Sequence, residues 1–287
     1  MKRVAIIFTL LFAMTTHAAV IETDALDCRP TGIAMSKGGI LFAAYHTSGG
    51  SEDGISIICS RNQGTDWDRV TMFSQASRCV LWRGFSVEFR AFLTIGENIY
   101  VAVCSDPDNA PSVWTEPSVI AKGYCSSSPV VLRNGAVLLP VYLYESDGPG
   151  VLFSMDRGRS WMTKPSGITL EEKLHTRNQE PVLVPYRNGR VAMLNRATGY
   201  QWRWMSVSKT FGQSWEQPEK FIYSPDTPMS VTVLPSGKWL AVKNGRLDQM
   251  LYYIPDRLIA YMSDDEGQTW YGDLIIDDRT DAVNPCV

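Results

Sequence analysis

Four eight-residue stretches of this chain are versions of one phrase: "SRNQGTDW" (Ser60–Trp67), "SMDRGRSW" (Ser154–Trp161), "SKTFGQSW" (Ser208–Trp215) and "SDDEGQTW" (Ser263–Trp270). Such a repeat restricts the fold strongly, because each copy must occupy the same kind of place. The shared pattern is Ser, a short polar residue two places on, Gly four places on and Trp seven places on. It reads as a tight turn. The short polar side chain can bond its own turn backbone. Gly64, Gly158, Gly212 and Gly267 tolerate positive φ, and each Trp then packs its indole on a neighbouring unit.

Each phrase follows an apolar β-like run: "ISIICSR", "GVLFSMD", "WMSVSKT" and "LIAYMSD". Ahead of these runs lie strand pairs around Gly turns, such as "PVVLRNGAVLLPVYLY", "PVLVPYRNGRVAMLN" and "VTVLPSGKWLAVK". "GIAMSKGGILFAAYH" fits the same template. The unit is therefore strand, Gly turn, strand, loop, strand, phrase, strand. A degenerate copy around "RAFLTIGENIYVAVCS", with Trp114, divides the gap between Trp67 and Trp161. The Trp-to-Trp steps become 47, 47, 54 and 55 residues. Four-stranded units at that period predict a β-propeller, whereas a parallel β-helix has shorter repeats. Helical pattern is confined to "LEEKLH" near Leu170. The expectation is an all-β, six-bladed propeller with its last blade incomplete: five units between Cys28 and Trp270, and a sixth starting near Val283. "VIETDAL" (Val20–Leu26) suits a closing strand paired with the last blade.

The first 19 residues carry a basic head (Lys2, Arg3), an apolar run from Val4 to Met14 too short to span a bilayer, and small residues at Ala18 and Ala19. They predict a secretory signal peptide, with the propeller over residues 20–287 and a periplasmic or extracellular destination. No second apolar run predicts a membrane span. Net charge is −3 with no basic block, which disfavours nucleic acid and anionic membrane as partners. Cys28, Cys59, Cys79, Cys104, Cys125 and Cys286 show no C-x-x-C spacing, so no zinc site is predicted, and nothing calls for a cofactor. Cys59 and Cys104 lie in apolar runs and read as core residues.

The phrase matches the Asp-box, or bacterial neuraminidase repeat. With the period, it makes the chain resemble the sialidase superfamily over nearly all of residues 20–287. The box stabilises blades and is not catalytic, so chemistry must come from other residues. The resemblance implies an exo-α-sialidase, a glycoside hydrolase that releases terminal sialic acid from glycoconjugates. It implies a Tyr nucleophile activated by a Glu, an Asp acid, and three Arg on the substrate carboxylate; the Tyr departs from the usual two-carboxylate arrangement. Arginine suits that clamp because its planar fork binds a carboxylate bidentately and stays charged.

Carried over residue by residue, the resemblance points to Arg29 in "CRPTGIAMSKGGILFA", ten residues before Gly39. The acid falls on Asp53 in "HTSGGSEDGIS", 24 residues after Arg29, in a loop where a general acid over a pocket belongs. Glu52 competes for that role. Glu180 and Arg196, 16 apart in "QEPVLVPYRNGRVAMLNRATG", return to the same end of one blade through the Arg187–Gly189 turn. Arg257 supplies the third arginine, with Arg246 as its rival. The plain alternatives are surface charges for Arg29 and Arg257, a solvated loop carboxylate for Asp53, and a structural ion pair for Glu180–Arg196. The pattern departs at the nucleophile: Asn284, in "TDAVNPCV", stands where the Tyr is implied, and Asn forms no phenolate. Tyr252, Tyr253, Tyr261 and Tyr271 read as strand aromatics. The rival to a hydrolase is a non-catalytic propeller that binds a sialylated glycan or another acidic sugar. A purely structural assembly propeller has no need of Arg29, Arg196 and Arg257 together.

Overall fold

Gly turns and Asp-box phrases cut the chain into short strands, and most of the strands assemble into four-stranded sheets. The computed structural model describes residues 2–7, 18–23, 27–48, 53–109, 113–168, 178–199, 201–247 and 257–277. They divide into two compact units, the first ending at Cys125 and the second beginning at Ser126.

In the first unit, β1 (Lys2–Ile7) pairs antiparallel with β2 (Ala18–Thr23), with Val20 opposite Ala5. The described part of the expected closing strand is thus paired with its sequence neighbour instead. A hairpin between nearby segments closes a shorter loop, at lower entropic cost, than pairing with a distant blade. The first four-stranded sheet is β3 (Asp27–Met35), β4 (Leu41–Ser48), β5 (Gly54–Ser60) and β6 (Asp68–Ser74), in sequence order. The second is β7 (Ala76–Arg83), β8 (Phe89–Ile95), β9 (Asn98–Cys104) and β10 (Ser118–Lys122), followed by the short β11 (Tyr124–Cys125). Every residue of β5 is buried, so both faces of the first sheet are covered. This is why the strands read as apolar runs rather than as strict alternation. Phe42, Ile55 and Ile57 of the first sheet share a core with Leu81, Phe89 and Leu93 of the second. Phe42 and Phe89 meet edge-on, 4.9 Å between ring centroids. At Gly32 a Cβ would lie 2.9 Å from the Cys79 carbonyl oxygen, so the close approach of the two innermost strands excludes any side chain there. Cys59 and Cys104 are buried in this core, where the sequence places them.

The second unit holds three sheets. The third sheet contains β12 (Val130–Val131), β13 (Val137–Leu143), β14 (Gly148–Ser154) and β15 (Met162–Pro165). The fourth is β16 (Asn178–Pro185), β17 (Val191–Ala197), β18 (Trp202–Ser208) and β19 (Glu219–Tyr223). The fifth is β20 (Ser230–Val233), β21 (Trp239–Asn244), β22 (Leu258–Ser263) and β23 (Tyr271–Asp277). Leu138, Val151 and Phe153 pack against Leu183, Val191 and Met193 between the third and fourth sheets. Val182, Val184 and Leu194 pack against Val231, Trp239 and Ala241 between the fourth and fifth. The described residues therefore form five blade sheets, beside the β1–β2 hairpin, where six blades were expected. The start of a sixth was placed on Val283–Val287, which lie outside the described residues.

The repeated phrase takes one geometry in four of the sheets, always between the third strand and the fourth. Its Ser hydroxyl accepts the amide N–H of the Gly four residues on, at 2.8 Å, in all four copies: Ser60–Gly64, Ser154–Gly158, Ser208–Gly212 and Ser263–Gly267. The short polar residue accepts the amide four residues after it: Ser160 to Asp156, Thr269 to Asp265, Asp66 to Asn62 and Ser214 to Thr210, at 2.8–2.9 Å. The residue before each Gly adopts positive φ: Gln63 (59°), Arg157 (63°), Phe211 (54°) and Glu266 (58°). The second sheet lacks the phrase. There Trp114 makes an isolated bridge to Cys104 and packs edge-on to Phe73.

Two of the phrase carboxylates are held well below the usual range by these bonds. The Thr269 hydroxyl and amide pull Asp265 down to about 2, and the Ser160 hydroxyl and amide act likewise on Asp156. A lowered carboxylate stabilises the fold above the unfolded carboxylate range, and that contribution is lost as pH falls toward 2. Ser154 and Ser263 are buried, so removing either hydroxyl leaves a Gly amide unsatisfied. Ser154→Ala and Ser263→Ala are each expected to cost about 1–3 kcal/mol, read as a lower urea midpoint at unchanged slope.

Candidate functional site

The site is best built from Glu180, which stands at the head of the fourth sheet. The β16–β17 register breaks between Gln179 and Val182, so Glu180 and Pro181 form a bulge. Pro181 has no amide to lose there. Glu180 has a φ of 50°, a left-handed conformation unusual for a residue with a side chain. Such strain persists only where surrounding contacts impose it. Here the carbonyl of Pro181 accepts two hydroxyls, from Ser126 (2.7 Å) and Ser127 (3.0 Å). The bulge turns the Glu180 carboxylate toward Arg196, whose Nη1 donates to Oε2 at 2.8 Å. The hairpin turn that brings the two together is closed by Gly189 N–H donating to the Tyr186 carbonyl.

Arg196 also donates from Nε to Asp226 Oδ1 at 2.6 Å. Asp226 lies in the connection between β19 and β20, and its other oxygen accepts the Gly199 amide at 2.8 Å. Burial works against the Arg196 charge; the Glu180 and Asp226 carboxylates more than offset it, and the arginine pKa is raised. Beside Arg196 in the register stands Arg203 of β18, fully buried. Its Nη2 donates to the Thr227 carbonyl. Burial is the main cause that lowers Arg203 to about 10, so it remains charged at neutral pH. The cluster thus sets two carboxylates on Arg196, with a second guanidinium, that of Arg203, held beside them by a backbone carbonyl. Sequence reading found Glu180 and Arg196 but missed Asp226 and Arg203. Asp226 sits in "YSPDTPMS", which reads as an ordinary Pro-rich turn. Arg203 had one signal: a lone charge inside the aromatic strand "WRWMSV".

The other residues singled out fall as follows. Arg29, in β3, pairs in register with His46 of β4. His46 Nε2 is 3.6 Å from Asp53 Oδ1, and Asp53 is exposed directly before β5. Arg257 is exposed directly before β22, and its carbonyl accepts the Gly245 amide. Its rival Arg246 is tied to Asp273 of the outermost strand at 2.9 Å. Arg29 and Asp53 belong to the first unit, and Glu180, Arg196 and Arg257 to the second. Glu52, Tyr252, Tyr253 and Asn284 lie outside the described residues. Tyr261 is buried, and its hydroxyl bonds Gly245 O and Asp273 Oδ1. Burial, with the Asp273 charge, raises its pKa, which opposes phenolate formation. Tyr271 is exposed and hydrogen-bonded to Asp264 and Lys238. Neither of these two has the surroundings of an activated nucleophile.

A family model described as "BNR repeat-like domain" matches residues 96–282. No match is found among the curated proteins. Among solved structures, the chain is similar to the Hadza microbial sialidase Hz136, at 16% identity and a TM-score of 0.67. That match covers 89% of this chain and 60% of the other, so the chain spans less than two thirds of that sialidase's length. A protein of unknown function from Dyadobacter fermentans matches at 15% identity and a TM-score of 0.67, over 88% of this chain and 84% of the other. A mutant Trypanosoma rangeli sialidase displaying trans-sialidase activity matches at 15% identity and a TM-score of 0.63, over 93% of this chain and 51% of the other. At these identities the likeness is one of fold: a sialidase-type β-propeller, to which the described residues contribute five blades.

One further charge in the second unit was not legible. Lys243 of β21 is completely buried. Its ammonium donates to the carbonyls of Asn244 (3.0 Å) and Gly245 (2.7 Å) and lies 5.4 Å from the ring centroid of Tyr261. Burial, then repulsion from Arg203, pushes it down to about 7. Its contribution to stability is therefore fully present above the ordinary lysine value near pH 10.5 and is lost as pH falls through about 7. Lys243→Met is expected to stabilise the fold at pH 6 by a few kcal/mol, an advantage that fades toward pH 10. Urea titrations of both proteins across that range check it; a constant difference would contradict the assignment.

Proposed function

The chain belongs to the BNR repeat-like domain family, and from that membership we propose that it is an exported, exo-α-sialidase-like glycoside hydrolase. Its substrates are terminal sialic acids of glycoconjugates, and residues 1–19 are its signal peptide. The observation that carries the reading is the Glu180–Arg196 pair, held on a left-handed bulge at one end of a blade. A surface ion pair gains little and has no reason to sit on strained backbone.

In this reading Arg29, Arg196 and Arg257 grip the substrate carboxylate. Asp53 stands on an exposed loop end and protonates the leaving glycosidic oxygen as its bond to the anomeric carbon breaks. With Asn284 in the place of the Tyr, no covalent intermediate divides the reaction in two. Glu180 instead takes a proton from water as the water oxygen bonds to the anomeric carbon. That single displacement is slower than the two-step route. Asn284 also favours a second reading, a propeller that keeps the carboxylate clamp and binds sialic acid or another acidic sugar without turnover.

Assays of a fluorogenic sialoside, with calorimetry of N-acetylneuraminate binding, separate the two readings. Slow turnover is expected, and Glu180→Gln is expected to lower it about 10²–10⁴-fold, the usual worth of a general base, while binding stays nearly unchanged. Binding without turnover in the parent chain would establish the second reading. Turnover undiminished in Glu180→Gln would exclude Glu180 as the base, and absence of both turnover and binding would exclude a sialic-acid site.

A further inference from the structure

We infer that Asp226 is the positioning residue for Arg196: it fixes the guanidinium so that its remaining Nη hydrogens are presented to a ligand carboxylate. The inference rests on the carboxylate-sugar reading above and adds a residue to it.

The two oxygens of Asp226 do different things. Oδ1 takes the Arg196 Nε hydrogen at 2.6 Å, and Oδ2 takes the Gly199 amide at 2.8 Å. The same carboxylate therefore ties the end of the arginine to the backbone just beyond β17, the strand that bears it. The segment carrying Asp226 is itself pinned to the fourth sheet on both sides. Ser224 N–H donates to the Gln201 carbonyl at 3.0 Å, and buried Arg203 donates to the carbonyl of Thr227. Asp226 is thus placed by contacts that do not involve Arg196. A positioning group needs that independence.

The hydrogens of Arg196 give the orientation. A guanidinium carries five N–H hydrogens in one plane. One on Nε goes to Asp226 and one on Nη1 goes to Glu180. Nη2 makes no hydrogen bond to the described residues. With two points fixed, rotation about the last side-chain bonds is restricted, and three hydrogens, one on Nη1 and two on Nη2, are left for a second carboxylate. Without Asp226 the arginine keeps one anchor and swings about it.

Charge alone predicts the opposite result, which makes the inference testable. A carboxylate next to a carboxylate-binding arginine repels the ligand, so neutralising it should tighten binding if electrostatics were its whole effect. Positioning predicts weaker binding. Asp226→Asn leaves one acceptor oxygen for two donors; Asp226→Glu keeps both acceptors with a longer reach.

The experiment uses the whole chain and two ligands, N-acetylneuraminate and its methyl ester, which lacks the charge. Asp226→Asn is expected to weaken binding of the acid about 10–100-fold, the scale of a charge-assisted hydrogen bond, with the ester changed about twofold or less. Asp226→Glu should recover part of the loss. A second readout needs no ligand: the Nε–H nitrogen–proton NMR signal of Arg196, assigned by its disappearance in Arg196→Lys. It should exchange slowly in the parent chain and rapidly in Asp226→Asn. Unchanged or tighter binding of the acid by Asp226→Asn overturns the inference, as does an unmoved Nε–H signal. If the parent chain does not distinguish acid from ester while the signal responds as expected, the carboxylate-sugar reading falls and the anchoring of Arg196 by Asp226 stands.

Discussion

The inner strands of these sheets are buried on both faces, a state that no sheet reaches by itself. Strands β5, β13 and β14 have no exposed or half-exposed residue along their lengths. A four-stranded sheet of that composition in water would expose two apolar surfaces, and only a neighbour on each side removes them. Phe42 against Phe89, and Trp239 beside Val184 and Leu194, are local forms of that requirement. The polar machinery follows from it. With sheet faces committed to packing, side chains that bind or react are confined to strand ends and connections. Arg29, Asp53, Glu180 and Arg257 all stand at the opening of a strand or just before one.

What the sequence made legible is what obeys local rules. The phrase is readable because its bonds join residues four apart, Ser to Gly and Asp to Ser or Thr. The period is readable because the phrase recurs. Glu180 and Arg196 are readable because a hairpin of known length joins them. Asp226 is not readable, since its partner lies 30 residues away and nothing in "SPDT" marks an oxygen committed to an arginine. Lys243 is harder still. At the end of the run "WLAVK" it looks like a solvated strand terminus, yet it is fully buried, with Tyr261 of its own sheet and Tyr223 of the fourth near its ammonium. The sixth blade and the place of Asn284 were inferred from resemblance and fall beyond the described residues. The pairing of Val20 went to a neighbour in sequence, a local preference that a blade-closing template does not contain.

The buried charges of the fourth and fifth sheets also separate two kinds of rigidity. Arg196 is held by two carboxylates, so its geometry depends on charge. Arg203 and Lys243 are held by backbone carbonyls, from Thr227, Asn244 and Gly245, so theirs depends on the folded main chain. The first arrangement can be loosened by a neutral substitution in one side chain. The second gives way only when the connections themselves move.

The Pro181 carbonyl shows how the strained turn at Glu180 is protected against accident. It accepts Ser126 and Ser127 at once, filling both lone pairs with interchangeable donors from adjacent positions. Loss of either serine leaves the other's hydrogen bond in place, so changes at these two adjacent positions mask one another, and only their combination strips the carbonyl of both donors. Duplication of a fastening, rather than strength in any one bond, lets an unfavourable backbone conformation survive drift in the sequence around it.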